Sequence, residues 1–114
     1  MRKLNLADYM ISVRDQRGAL RFVTYKVRDS IVGILTHASL GLNGPELLVA
    51  NVLADKIDTT LSEILLTDDE YLQIVDSLKR FRGFTRNDTE LVKRIYDCPE
   101  VPDENKEKTE FSEN

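Results

Sequence analysis

With 114 residues, 41% of them hydrophobic and 32% charged, the chain has the size and composition of one ordinary globular domain. Its single cysteine, Cys98, excludes an internal disulfide and fits a reducing compartment. No apolar run approaches the roughly 20 residues that span a bilayer, and "MRKLNLADYMISV" lacks the sustained apolar core of a secretory leader, so the expected location is the cytoplasm, with no membrane partner.

The net charge of −4 is an average over separated blocks. Residues 1–38 carry seven basic and three acidic groups, and residues 39–76 carry one basic and eight acidic groups. Residues 77–99 carry six basic and three acidic groups, and from Glu100 onward six acids face two lysines. Such blocks either neutralise one another inside the fold or meet partners of opposite sign. Internal neutralisation is the simpler expectation.

In chain order, "DYMISVRDQRGALRFVTYKV" predicts a β-hairpin. Tyr9, Ile11 and Val13 alternate with Met10, Ser12 and Arg14, and Leu20 to Val27 returns through good strand formers. Between them Asp15 suits the start of a type I turn, and Gly18 suits the left-handed position of a bulge. Apolar groups fall on both faces of the return strand. Helices are expected to cover one face, leaving the other to a further partner, because an isolated ribbon is marginal in water.

Four helices are expected to follow. "RDSIVGILTHASL" starts the first, with Asp29 or Ser30 as its cap. "NGPELLVANVLADKI" is the second, with Pro45 in its first turn and Leu47, Leu48, Val52, Leu53 and Ile57 as its apolar stripe. Thr67 and Glu70 form a capping box for the third, and Asn87 with Glu90 repeats the device for the fourth. Gly83 stops the third helix and lets Phe84 fold back, so residues 67–97 read as an αα-hairpin. The polar, aperiodic segment 99–114 reads as a flexible acidic tail to a single domain over 1–98. The predicted class is α+β.

No catalytic motif, cofactor-binding loop or metal set emerges, and no small-molecule substrate is suggested. Asp68, Asp69 and Glu70 are consecutive on a helix and point apart, so capping explains them better than metal binding. His37 has no second zinc ligand and reads as a capping or packing residue. Cys98 has no histidine nearby in sequence to activate it. Asn87-Asp88-Thr89 matches a glycosylation sequon, but the helix-cap role is the simpler reading.

Two basic surfaces remain. The hairpin carries Arg14, Arg17, Arg21 and Lys26 beside Phe22 and Tyr25, a set suited to an acidic protein face or to self-association as a homodimer. "KRFRGFTRNDTELVKR" carries Arg80, Arg82, Arg86, Lys93 and Arg94, which could contact phosphates. However, Asp88 and Glu90 at the leading end of the following helix have the wrong sign for phosphates, and basic groups late in a helix also answer its dipole.

The phrases "NLADYMISV", "YKVRDSIVGILTH…LGLNGPELL" and "ILLTDDEYLQIV…GFTRNDTELVKRI" resemble those of small uncharacterised proteins of tailed bacteriophages and prophages. This resemblance covers most of residues 5–95, is one of layout, and transfers no functional residue. It implies a viral accessory, assembly or host-interaction role, although chaperone-like proteins of that kind are often almost wholly helical. The expected function is therefore a non-enzymatic protein-interaction module acting through the hairpin, with nucleic-acid binding through the two basic surfaces as the alternative.

Overall fold

The computed structural model describes residues 1–102; the rest of the acidic segment predicted as a tail, 103–114, lies outside the described residues. The fold is α+β. Strands β1 (Arg2–Asn5), β2 (Tyr9–Arg14) and β3 (Leu20–Tyr25) precede helices α1 (Val27–Leu35) and α2 (Gly44–Asp58). Strand β4 (Glu63–Leu66) and helices α3 (Asp68–Arg80) and α4 (Thr89–Asp97) complete it.

The hairpin forms as its sequence predicts. β2 and β3 pair antiparallel, with Tyr9 opposite Tyr25 and Arg14 opposite Leu20. The Asp15 carboxylate accepts the backbone N–H groups of Arg17 and Ala19 at 2.9 Å each, and Gly18 takes φ of +80° to close the turn. A side chain at that φ would be strained, so glycine is required there.

A second sheet appears that local pattern did not predict. β1 pairs antiparallel with β4, with Leu4 opposite Ile64 and Arg2 opposite Leu66. The other edge of β1 is covered by the chain leaving α4: Lys3 N–H donates to the Pro99 carbonyl, and Val101 N–H to that of Met1. Residues 99–101 are thus docked, which moves the end of the folded body past the boundary expected at residue 98. Leu4, Leu6, Ile64 and Leu66 are all buried on one face of this sheet. Ile31 and Leu35 of α1, Leu53 and Ile57 of α2, Ile74 of α3, and Leu91 and Ile95 of α4 join them in one core. Each such burial stabilises the fold by ~1.5–3 kcal/mol.

Local reading of helix starts succeeded at Thr67, whose capping box with Glu70 forms as expected, and at Pro45 in the first turn of α2; Asn43 and Glu46 add a reciprocal capping box that it did not name. α1 starts at Val27, ahead of the expected Asp29 or Ser30 cap, because its first N–H is satisfied by the Asp8 carboxylate at 2.9 Å from the β1–β2 connection. α4 is led by a short 3-10 turn, Arg86–Asp88, in which the Asp88 carboxylate accepts the Thr85 N–H, in place of the expected Asn87–Glu90 cap. α3 ends at Arg80, and Gly83 (φ +123°) turns the chain so that the Phe84 ring meets Phe81 at 4.5 Å.

The apolar stripe predicted for α2 is corrected. Ala50, Leu53, Ala54 and Ile57 face the core, whereas Leu48 and Val52 are 70% and 72% exposed, and Leu47 is about half exposed. The helix is apolar on two sides. Its two alanines are buried on the core side, where small side chains let neighbouring helices approach.

Glu70 ties this arrangement together: it accepts the Thr67 N–H at 2.9 Å and the Lys56 ammonium of α2 at 2.7 Å. Burial pushes its carboxyl up, but the Lys56 and Thr67 bonds outweigh burial and hold it below the ordinary glutamate value of 4.5. A depressed folded value favours the folded state above the unfolded value and loses that advantage as pH falls through the folded one. Glu70→Gln should therefore cost about 1 kcal/mol in urea melts at pH 7. Its deficit against the parent chain should shrink as pH drops below about 4.5.

Candidate interaction surface

The hairpin is held at its base and open beyond it. Tyr9 and Tyr25, cross-strand partners, stack with ring centroids 4.6 Å apart and 11° between planes. The Tyr25 hydroxyl donates to the Asp88 carboxylate, and the Tyr9 hydroxyl donates to the Asn87 carbonyl at 3.0 Å. The Arg94 guanidinium lies 5.0 Å above the Tyr9 ring and donates to the Asn5 and Ala7 carbonyls. Burial, then the bond to the Asp88 carboxylate, push the Tyr25 hydroxyl far above its ordinary value, so it stays a proton donor at any physiological pH.

Strand alternation sorts the remaining residues into two faces. The inner face carries Tyr9, Ile11, Val13, Arg21, Val23 and Tyr25, and its Tyr9, Ile11 and Tyr25 pack on the core. Met10, Ser12, Arg14, Leu20, Phe22 and Thr24 make the outer face. There Met10 is 60%, Leu20 54% and Phe22 68% exposed. Sequence reasoning left out Met10 and Leu20, although their register opposite Thr24 and Arg14 was readable once the turn was placed.

The six predicted contact residues are therefore divided. Phe22 and Arg14 share the outer face, Arg17 sits in the turn, and Arg21 lies across from Val13 on the inner face near the tip. Lys26 is exposed at the start of α1. Tyr25 lies apart from them: it is buried at the root, where its ring and hydroxyl engage the chain itself. Among the described residues the ion pairs are Lys3–Glu63, Lys56–Glu70 and Arg80–Asp76, so none of Arg14, Arg17, Arg21 or Lys26 meets a carboxylate partner there. Arg14 instead donates to the Gly18 carbonyl at 2.9 Å. Among the described residues, the ion pairing expected between the basic and acidic blocks is confined to Lys3–Glu63 and Arg80–Asp76, since Lys56 and Glu70 both belong to the acidic block.

The second basic surface is thinner than its sequence. Arg94 is committed to Tyr9 and the β1–β2 connection, and Arg80 pairs with Asp76 at 3.5 Å. Arg82, Arg86 and Lys93 are less committed, with Asp88 and Glu90 among them. Lys93 edges an apolar groove of about 380 Å³ between α3 and α4, lined by Leu78, Phe84, Val92 and Tyr96.

The remaining reactive side chains have structural roles. His37 Nδ1 accepts the Ser39 N–H at 3.0 Å, and its ring meets Phe81 edge-on at 4.7 Å. Cys98 is buried, and desolvation raises its thiol above the ordinary value, keeping it protonated at neutral pH. Among the described residues no helix is long and apolar enough to cross a membrane, and no cluster of His, Cys, Asp and Glu is arranged to hold a metal ion. Compared with protein-family models, curated proteins and solved structures, the chain matches none.

Root and outer face should respond differently to substitution. Tyr25→Phe leaves Asp88 Oδ1 without its donor and should cost about 1 kcal/mol in chemical denaturation. Phe22→Ser, on an exposed site, should change stability by no more than about 0.5 kcal/mol.

Proposed function

We propose that this chain is a non-enzymatic protein-binding module that grips an acidic, partly apolar surface with the outer face of its hairpin. The observation that carries this reading is the combination at one place of Met10, Leu20 and Phe22, all more than half exposed, with arginines that have no carboxylate partner among the described residues. Exposed apolar groups clustered on a ribbon mark an interaction site, and the cations around them select partners by sign. Among the described residues, both outer strand edges also keep open backbone groups, a common route to strand addition. In the setting implied by the sequence resemblance, such a module would serve as a phage accessory, assembly or host-interaction part.

Peptide display against the full chain tests this. Selected peptides should pair acidic with aliphatic or aromatic residues. They should lose about tenfold or more in affinity for a Phe22→Ser, Arg14→Glu variant that melts like the parent. Peptides that bind parent and variant equally would overturn the reading. So would tight binding of a DNA duplex or single strand whose affinity falls steeply with salt, since that behaviour belongs to phosphate contacts.

A further inference from the structure

The structure holds a second exposed apolar surface, and its surroundings have the opposite charge to the ribbon. On α2, Pro45, Leu48, Val49 and Val52 follow one another at the spacing of a single helix face, turned away from the residues packed in the core. Leu48, Val49 and Val52 are 70%, 60% and 72% exposed. Asp55, three residues beyond Val52, extends that side, and Asp58 closes the helix. Neither acid makes an ion pair with a described residue, and the one lysine nearby, Lys56, is spent on Glu70. The stripe continues through Val49 into a groove of about 300 Å³ between α2 and α3, lined by Leu40, Leu42 and Ala50 and bordered by Glu46 and by the paired Asp76 and Arg80.

We infer that the occupant of this α2 face is the hairpin of a second copy of the chain. The inference rests on the hairpin reading above and names its partner. The ribbon presents Met10, Leu20 and Phe22 with Arg14 and Arg17 at its tip, and α2 presents Leu48, Val49 and Val52 with Asp55 and Asp58. Apolar meets apolar, and cations meet carboxylates, neither of them ion-paired among the described residues. The two like-with-like alternatives are disfavoured by sign: ribbon on ribbon brings arginines together, and α2 on α2 brings aspartates together. The contact is heterologous, so it either propagates into a fibre or closes by being made twice about a two-fold axis. One ribbon lying on one helix is small against the ~1,200–2,000 Å² of a stable interface, and making the contact twice doubles it. The closed dimer with two reciprocal contacts is therefore the assembly assigned.

Full-length chains carrying Phe22→Cys or Val52→Cys test the pairing directly. Both sites are exposed, and the native Cys98 thiol is buried and unreactive. Mixed at concentrations where light scattering reports a dimer and oxidised gently, the two variants should give mainly the mixed disulfide that joins one to the other. Predominance of the product linking two Phe22→Cys chains would mean that ribbon meets ribbon, overturning the α2 assignment while leaving the hairpin reading intact. Predominance of the product linking two Val52→Cys chains would mean that α2 pairs with itself, and would equally overturn it. A parent chain that stays monomeric at every concentration up to about 1 mM would also overturn it, leaving the hairpin reading to the display selection. Arg14→Glu and Asp55→Lys should each weaken the dimer at least tenfold, and mixing the two variants should restore both contacts, one as the parent pair and the other with its charges reversed.

Discussion

The arrangement depends on how the base of the hairpin is gripped. A two-stranded ribbon has no core of its own, so its direction in space is set by whatever holds its first and last residues. Here those residues are two stacked tyrosines. Their hydroxyls reach consecutive residues, Asn87 and Asp88, at the mouth of α4, while Arg94 of the same helix covers the Tyr9 ring. Aromatic stacking, two hydrogen bonds and a cation over a ring act at one point, and the Tyr25–Asp88 bond gains strength from partial burial and from the carboxylate's charge. Without this root, the outer face would have no fixed orientation towards anything.

Asp88 does two jobs at this point. One carboxylate oxygen accepts the Tyr25 hydroxyl, and the other accepts the Thr85 N–H and so shapes the turn that leads into α4. The αα corner and the ribbon are thereby linked through one side chain. This also explains why so basic a stretch as 79–94 presents little continuous positive surface: Arg80 and Arg94 engage the chain's own structure, and Asp88 is the anchor of the hairpin. Charge density along a sequence counts residues, whereas a binding surface counts those left unsatisfied after folding. By that criterion the ribbon is the stronger basic surface, and α2 with its aspartates is the acidic one.

The sequence was most legible where the determining residues are neighbours. The Asp15–Gly18 turn, the period-two strands, the Thr67–Glu70 capping box and the fold-back of Phe84 are set within a few residues, and each could be read directly. Contacts distant in sequence were not legible. β1 and β4 are four residues each and are separated by two helices and the whole hairpin, so neither declares itself without the other. Residues 99–101 look like the start of a polar tail until β1 is there to receive them. Asp8 caps α1 from across that same hairpin.

The site was half legible for a related reason. Alternation told which residues of β2 and β3 share a face, but not which face the core would take, and Tyr25 fell on the buried one. On α2 the same ambiguity is sharper, because Leu48, Val49 and Val52 occupy one side while Leu53 and Ile57 share the other with two alanines. Bulk suggests that the leucines are core. Packing in the core selects the side of Ala50, Leu53, Ala54 and Ile57 and leaves Leu48 and Val52 outside. An apolar face turned outward, beside acids that pair with no described cation, is the observation on which the proposed self-recognition rests.

Sedimentation equilibrium of the intact protein in low and high salt tests the central claim most directly. Paired ribbon and α2 surfaces predict a monomer–dimer equilibrium at low salt, shifting towards monomer as salt screens the arginine–aspartate contacts. A monomer throughout, or a dimer that tightens steadily with salt as a purely apolar contact would, contradicts it.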